Sequence, residues 1–172
     1  DIGNAFVQTP VEDVDLYVSQ PQGYERFGPK GEKLVCKLDK YLYGLLQSSR
    51  EFNKLLHNIL IDLGFTQSQT DTCLYTKDMH DSETRIALTL YVDDLVVTAS
   101  SVTTLDKFAA TLQERFPITI NRLNEPAQIL GIEIEYNRDA GTLILHQKHS
   151  ILESITNFGF SELSPTSTPM EY

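Results

Sequence analysis

The sequence of 172 residues has few cysteines, few basic residues and no long hydrophobic run, and each shortage excludes a class of protein. Two cysteines, Cys36 and Cys73, are too few for a disulfide framework and lie in no metal-binding pair, so we expect reduced core thiols in an intracellular protein. No apolar stretch approaches the roughly 20 residues of a transmembrane helix, and no apolar signal segment is present. Because the chain starts at Asp1 rather than at methionine, we expect a piece of a longer protein.

The shortage of basic residues makes the chain acidic: 14 Lys and Arg against 24 Asp and Glu give a net charge of −10. Taken alone, this balance argues against nucleic-acid binding, which usually needs a basic footprint. The basic residues are clustered, however. Residues 26–54 hold seven of them against three acidic residues, so this segment carries +4 and the remainder −14. The segment is either an ordinary solvated face or a local track for phosphates.

Hydrophobic spacing predicts an α+β chain in which antiparallel strand pairs alternate with three amphipathic helices. Ser48 and Glu51 fit a capping box at the start of the first helix. A polar tail from residue 161 is typical of a linker. The predicted helices cover residues 48–63, 101–116 and 147–158, and the predicted strands lie within 1–18 and at 34–38, 73–76, 85–92, 95–100, 118–120, 129–136 and 142–146.

The tetrapeptide Tyr91-Val92-Asp93-Asp94 lies between two apolar, strand-like runs. Adjacent carboxylates repel each other unless a cation lies between them, and Mg²⁺ prefers such oxygen ligands. Aspartate is also a common turn residue, and for an isolated Asp-Asp pair a plain hairpin turn is the better interpretation. The β-branched flanks and the preceding aromatic residue favour a metal site here.

A third carboxylate, Asp1, opens the apolar segment DIGNAFVQ. If sheet pairing brought Asp1 beside Asp93 and Asp94, the three carboxylates could hold two divalent ions about 3.5–4 Å apart for phosphoryl transfer. The periodicity of the sequence does not show that the three residues meet.

Four collinear segments, which together span nearly the whole chain, resemble the reverse transcriptase domain of copia-type long-terminal-repeat retrotransposons. They are DIGNAF, LYVSQPQGY with VCKLDKYLYGLLQSSR, LYVDDLVVTAS, and ILGIEI with LILHQKHSILESI. The motif YVDD alone would be weak support, but four motifs in the same order are strong support. The family usually has lysine where this chain has Leu46.

The resemblance implies a polymerase-like palm, an antiparallel sheet backed by the first two helices. Residues 1–136 would form this palm with an inserted partial fingers segment at about 8–47, and residues 137–172 the end of the palm and the start of the thumb. The implied activity is RNA-directed DNA polymerase with two Mg²⁺ ions, or Mn²⁺ as a substitute. The implied partners are a primer–template, deoxynucleoside triphosphates and the fingers and ribonuclease H regions of the same polyprotein. No membrane is implied, and such enzymes work in cytoplasmic virus-like particles and the nucleus.

The resemblance also assigns roles to residues. Asp1, Asp93 and Asp94 are the implied catalytic metal ligands, joined by the backbone carbonyl of Ile2. Phe6 falls where reverse transcriptases place an aromatic ring that blocks a ribose 2′-hydroxyl, although a core aromatic of a strand explains it better from sequence alone. The nucleotide-binding residues would be Asn4, Ala5, Phe6, Tyr43 and Gly44. The primer–template contacts would be Tyr91, Leu130 and Gly131, the last two on a hairpin that supports the primer end.

Two other interpretations of the sequence remain open. The chain could be a catalytically inert, retrotransposon-derived remnant that acts as a protein- or nucleic-acid-binding module, because a terminal Asp1 lacks residues to hold it. It could also be another metal-dependent phosphotransferase on the same architecture, such as a nucleotide cyclase. The LYGL and ILGIEI segments argue against the cyclase.

Overall fold

The computed structural model describes most of the chain: residues 2–12, 14–78, 85–121, 127–137, 139–160 and 162. The predictions for Asp1 and for most of the linker tail lie outside these residues. The chain divides into two compact units, residues 1–120 and residues 121–172.

The first unit contains two antiparallel sheets and two long helices. Strands β1 and β2 pair with each other, and β3, β4, β5 and β6 form a four-stranded antiparallel sheet in that order. Among the strands of this unit, the sequence did not predict the two-residue β3. The elements are a 3₁₀ turn (Ala5–Gln8), β1 (Tyr17–Ser19), β2 (Val35–Lys37), α1 (Ser48–Asp62), β3 (Thr66–Gln67), β4 (Leu74–Asp78), β5 (Arg85–Tyr91), β6 (Asp94–Ala99) and α2 (Val102–Gln113).

One face of the four-stranded sheet packs with α1 and α2 in a single core. Alternate residues of β5 are buried because successive side chains of a strand point to opposite faces. Each large apolar side chain that is buried contributes about 1.5–3 kcal/mol. The buried core residues on these elements are Ile86, Leu88 and Leu90 of β5, Phe52, Leu56 and Leu60 of α1, and Phe108 and Leu112 of α2.

The strand expected at the start of the chain is wrong, because residues 5–8 form a 3₁₀ turn. Asn4 has a left-handed backbone (φ 53°), which an asparagine tolerates and which ends any extended run. The amide of Val7 then donates to the carbonyl of Asn4 at 3.1 Å. Among the described residues 2–8, strand pairing is limited to one bridge between Ile2 and Ile118, so the strand expected at 118–120 is likewise only a bridge.

The expected capping box at α1 is also wrong. Ser48 is fully buried as the first residue of the helix, and its Oγ donates to the carbonyl of Leu42 at 2.6 Å. Glu51 accepts from Lys54 Nζ at 2.9 Å and does not reach back to the helix start. Most buried hydroxyls have a hydrogen-bond partner, and here the preceding loop supplies it.

The two cysteine thiols, which we expected in the core, are not buried there. Cys36 is half-buried and Cys73 is exposed, and both are free. In the part of the chain that the structure describes, no helix is both long and apolar enough to cross a membrane.

The second unit contains a three-stranded antiparallel sheet and one helix: β7 (Ala127–Ile129), β8 (Ile132–Asn137), β9 (Thr142–His146) and α3 (Lys148–Asn157). The single strand expected at 129–136 is wrong, because a two-residue turn splits it. Leu130 and Gly131 both have positive φ (53° and 77°), as the favoured hairpin turns require.

A histidine bound by two carboxylates links the β8–β9 pair to α3. His146 Nδ1 lies 3.1 Å from Glu133 Oε2, and His146 Nε2 lies 2.9 Å from Glu135 Oε1. Glu133 Oε2 also accepts from the backbone amide of His149 at 3.0 Å. The hydrogen bond to Glu135 raises the pKa of His146, and the bond from the His149 amide lowers the pKa of Glu133.

We therefore expect His146 to titrate above its ordinary pKa of 6.5 in a proton NMR titration. Its raised pKa makes its stabilising contribution complete below pH 6.5, and this contribution is lost as the pH rises through the folded-state pKa. The variant His146→Gln should lack this pH dependence of unfolding. A His146 pKa at or below 6.5 in the wild type would contradict the prediction.

Candidate active site

The two adjacent carboxylates lie at the turn that joins β5 to β6. Tyr91 pairs with Asp94, so Val92 and Asp93 form a two-residue loop. Val92 has φ 56°, a left-handed conformation that a β-branched residue rarely adopts and that costs about 1–3 kcal/mol. Such strain persists only where the surroundings enforce it, and it concentrates at functional sites.

The N-terminal segment reaches this turn. The amide of Ile2 donates to the carbonyl of Asp93 at 3.1 Å, and the amide of Gly3 donates to the carbonyl of Pro117 at 2.8 Å. A Cβ at Gly3 would lie only 3.2 Å from that carbonyl oxygen, so glycine permits the close approach. Ile2 is buried here, one residue after the predicted ligand Asp1, which itself lies outside the described residues.

The donor set at the turn suits a hard divalent cation. Asp93 and Asp94 are both half-buried, and carboxylate oxygens are the ligands that Mg²⁺ prefers. Among the described residues no group of three His, Cys, Asp or Glu side chains is placed to hold a metal. The turn therefore supplies two of the three predicted carboxylates, and one or two carboxylates are the usual number for Mg²⁺.

Phe6 and Tyr43, two of the predicted nucleotide-binding residues, lie in contact. Their ring centroids are 4.4 Å apart, and Phe6 also meets the buried ring of Phe52 edge-on at 6.1 Å. Phe6 therefore packs against the core from a 3₁₀ turn rather than from a strand. Tyr43 is 54% exposed, and the adjacent Gly44 has φ 97°, which favours glycine.

The other predicted contacts occupy varied environments. Asn4 is exposed, whereas Ala5 is fully buried in the core, where its methyl group packs against apolar neighbours. Tyr91 is exposed beside the turn. Leu130 and Gly131 form the β7–β8 turn of the second unit. The nucleotide and primer contacts predicted for these residues stay predictions.

Sequence reasoning missed two features of the site. The first is the strain at Val92, which could have been found from the two-residue loop length, since favoured two-residue turns need a positive φ. The second is the close approach at Gly3, which depends on a contact with Pro117 more than 100 residues away.

Leu46, which replaces the family's usual lysine, is 99% exposed.

Replacing Val92 with glycine should relieve the strained backbone and raise the free energy of unfolding by about 1 kcal/mol. Chemical denaturation measures this change. The matched variant Val96→Gly removes the same side chain from the regular strand β6, so it should lower stability instead. Equal destabilisation by both variants would contradict the strain assigned to Val92.

The mixed α/β fold with antiparallel sheets and three helices is compatible with a reverse transcriptase domain. The chain belongs to the reverse transcriptase (RNA-dependent DNA polymerase) family, whose sequence profile matches residues 1–172. The resemblance to copia-type retrotransposons is confirmed by curated relatives.

The chain is similar to the retrovirus-related Pol polyprotein from transposon RE1 of Arabidopsis thaliana, with 34% identity over 99% of this chain and 11% of that polyprotein. It is 31% identical to the corresponding polyprotein from transposon TNT 1-94 of Nicotiana tabacum, over 99% of this chain and 12% of that polyprotein. It is 26% identical to the putative transposon Ty5-1 protein YCL074W of Saccharomyces cerevisiae, of which it covers 53%. No solved structure matches the chain significantly. The chain thus spans about a tenth of the two plant relatives.

Proposed function

We propose that this chain is the palm-centred part of an RNA-directed DNA polymerase that extends a primer 3′-hydroxyl on an RNA or DNA template. The observation that carries the proposal is the strained turn at Val92, followed by the adjacent carboxylates Asp93 and Asp94, where the Ile2 amide meets the Asp93 carbonyl. Membership of the reverse transcriptase family supports the reaction type.

Asp93, Asp94 and Asp1 would hold two Mg²⁺ ions, or Mn²⁺ in their place, with help from the carbonyl of Ile2. Bound there, the metal would make the primer hydroxyl a better nucleophile and stabilise the leaving pyrophosphate. The hydrogen bond from Ile2 to Asp93 holds the backbone beside these ligands, and Asp93 and Asp94 are adjacent residues at the end of the short turn. The chain's contribution would be a donor set on a backbone that this hydrogen bond supports.

The incoming nucleotide would lie against the Phe6–Tyr43 pair. Phe6 is held from behind by Phe52, so its ring has a fixed position from which to exclude a ribose 2′-hydroxyl. Asn4, Ala5 and Gly44 complete the proposed nucleotide segment. Tyr91, exposed beside the carboxylates, and the Leu130–Gly131 turn would contact the primer–template.

The proposed organisation follows from this assignment. The palm would include the four-stranded sheet with α1 and α2, and residues 8–47 would supply part of the fingers. Residues 137–172 would end the palm and begin the thumb. The fingers and ribonuclease H regions of a longer polyprotein would be further partners. DNA synthesis would take place in cytoplasmic virus-like particles and the nucleus.

A primer-extension assay tests the proposed function. The chain, expressed with the flanking regions that its relatives have, should add only the deoxynucleotide complementary to an RNA template, and only with Mg²⁺ or Mn²⁺. Binding of primer–template without any extension would support an inert remnant instead. Release of pyrophosphate without a template would indicate a cyclase.

A further inference from the structure

The loop of residues 20–34, which we call the braced loop, is held in shape by one side chain. Gln20 Nε2 donates to the carbonyls of Arg26 and Leu34 at 2.9 and 2.6 Å, and Gln20 Oε1 accepts from the amide of Arg26 at 2.6 Å. Further along, the amide of Gly28 donates to the carbonyl of Glu32 at 2.9 Å. The braced loop is therefore a small hairpin with a defined surface.

Two aromatic rings project from this hairpin into solvent. Tyr24 is 78% exposed and Phe27 is 63% exposed. Phe27 pairs directly with Lys33 in an isolated antiparallel bridge, and residues paired in this way carry their side chains on the same face. An aromatic ring and a cation thus lie side by side on one surface.

The braced loop carries a small net positive charge, with three basic residues against the two acidic residues Glu25 and Glu32. Arg26, Lys30 and Lys33 have no carboxylate partner within the ranges that the structure describes. Both acidic residues of the loop are engaged with backbone amides: Glu25 Oε2 accepts from Gly23 at 2.8 Å, and Glu32 Oε2 accepts from Lys30 at 2.9 Å.

We propose that the braced loop is a binding platform for single-stranded nucleic acid, with bases stacked on Tyr24 and Phe27 and phosphates held by Arg26, Lys30 and Lys33. Exposed aromatic rings interleaved with unpaired cations are the chemistry that recognises single strands, because an unpaired base offers its face and its phosphate together. The identification of this single strand as the unpaired template rests on the proposed polymerase function. The combination of exposed rings with basic side chains favours nucleic acid as the ligand, because its bases stack on the rings while its phosphates pair with the cations.

Fluorescence anisotropy with a labelled single-stranded oligoribonucleotide tests the platform. The double variant Tyr24→Ala with Phe27→Ala should weaken binding at least about tenfold, since stacking contributes 1–3 kcal/mol per base. Phe158→Ala, at a 75% exposed ring of the second unit, is the matched control and should bind like wild type. Phe27→Tyr should retain affinity because it keeps a stacking ring.

The salt dependence tests the cations separately. The triple variant with alanine at Arg26, Lys30 and Lys33 should make the slope of log affinity against log salt shallower by about 2. Each phosphate contact on a single strand contributes about 0.7 to that slope, and the variant loses three contacts. Wild-type protein that does not bind the oligoribonucleotide, or a double aromatic variant that binds it as wild type does, would overturn the platform. Neither result bears on catalysis, which the primer-extension assay tests separately. Binding of the oligoribonucleotide without primer extension would support the platform and contradict the proposed polymerase activity.

Discussion

Replacing Asp93 with asparagine is expected to lower the rate of primer extension about a thousandfold while leaving the protein folded. Asparagine keeps the size of the side chain and the backbone bond from Ile2, but it removes a negative charge from the proposed metal site. Losing one ligand that stabilises the transition state by about 4 kcal/mol lowers the rate about a thousandfold. The single-nucleotide incorporation rate at saturating Mg²⁺ measures this loss.

The matched control is Asp62→Asn, which removes the same charge from the exposed end of α1 and should leave the rate unchanged. Asp94→Asn should resemble Asp93→Asn. Circular dichroism checks that all three variants remain folded. If Asp93→Asn extends a primer as well as wild type does, the role assigned to the turn is wrong.

Replacing Phe52 with alanine is expected to lower the free energy of unfolding of the first unit by about 3–5 kcal/mol. Phe52 is fully buried on α1, and its ring meets Phe6 and Phe116 edge-on at 6.1 Å each. The substitution leaves a cavity and removes the ring behind Phe6. Urea denaturation followed by circular dichroism measures the loss.

Phe158→Ala is the control for this variant, because removing an exposed ring should change stability by no more than about 0.5 kcal/mol. A loss below about 1 kcal/mol for Phe52→Ala would contradict the packing of Phe6 against the core. Phe52→Leu, which keeps most of the buried volume, should lie between the two variants.

Local patterns in the sequence predicted the main elements of the first unit. The apolar stripe of α1 repeats at helical spacing, and the alternation in β5 marks the face that packs in the core. Ser101 was expected at the start of α2, and its Oγ accepts from the amide of Thr104 at 3.2 Å. These predictions are correct because the signal lies within one turn or one strand.

The errors occurred where the outcome depends on distant partners or on a single backbone angle. Residues 5–8 are apolar enough for a strand, but the left-handed Asn4 redirects the chain. Ser48 and Glu51 have the spacing of a capping box, but the Leu42 carbonyl takes the hydroxyl. In residues 129–136, apolar and β-branched side chains concealed the turn at Leu130–Gly131.

The candidate site was predictable in part. Asp93 and Asp94 were expected at a hairpin turn from their apolar flanks, and the register of Tyr91 with Asp94 confirms that turn. The approach of Ile2 to Asp93 spans about half of the chain, so no local pattern encodes it. The resemblance alone implied that approach, and the contribution of Asp1 stays a prediction.

Metal binding at the Asp93–Asp94 turn is measured most directly by adding Mn²⁺ to isotope-labelled protein and following its backbone resonances by NMR. We expect saturable paramagnetic broadening centred on Asp93, Asp94 and Ile2, with affinity reduced at least about tenfold, or 1.4 kcal/mol, in Asp93→Asn. Asp62→Asn should match wild type. The absence of saturable broadening in the folded wild-type protein, or broadening that is unchanged in Asp93→Asn, would contradict a metal site at this turn.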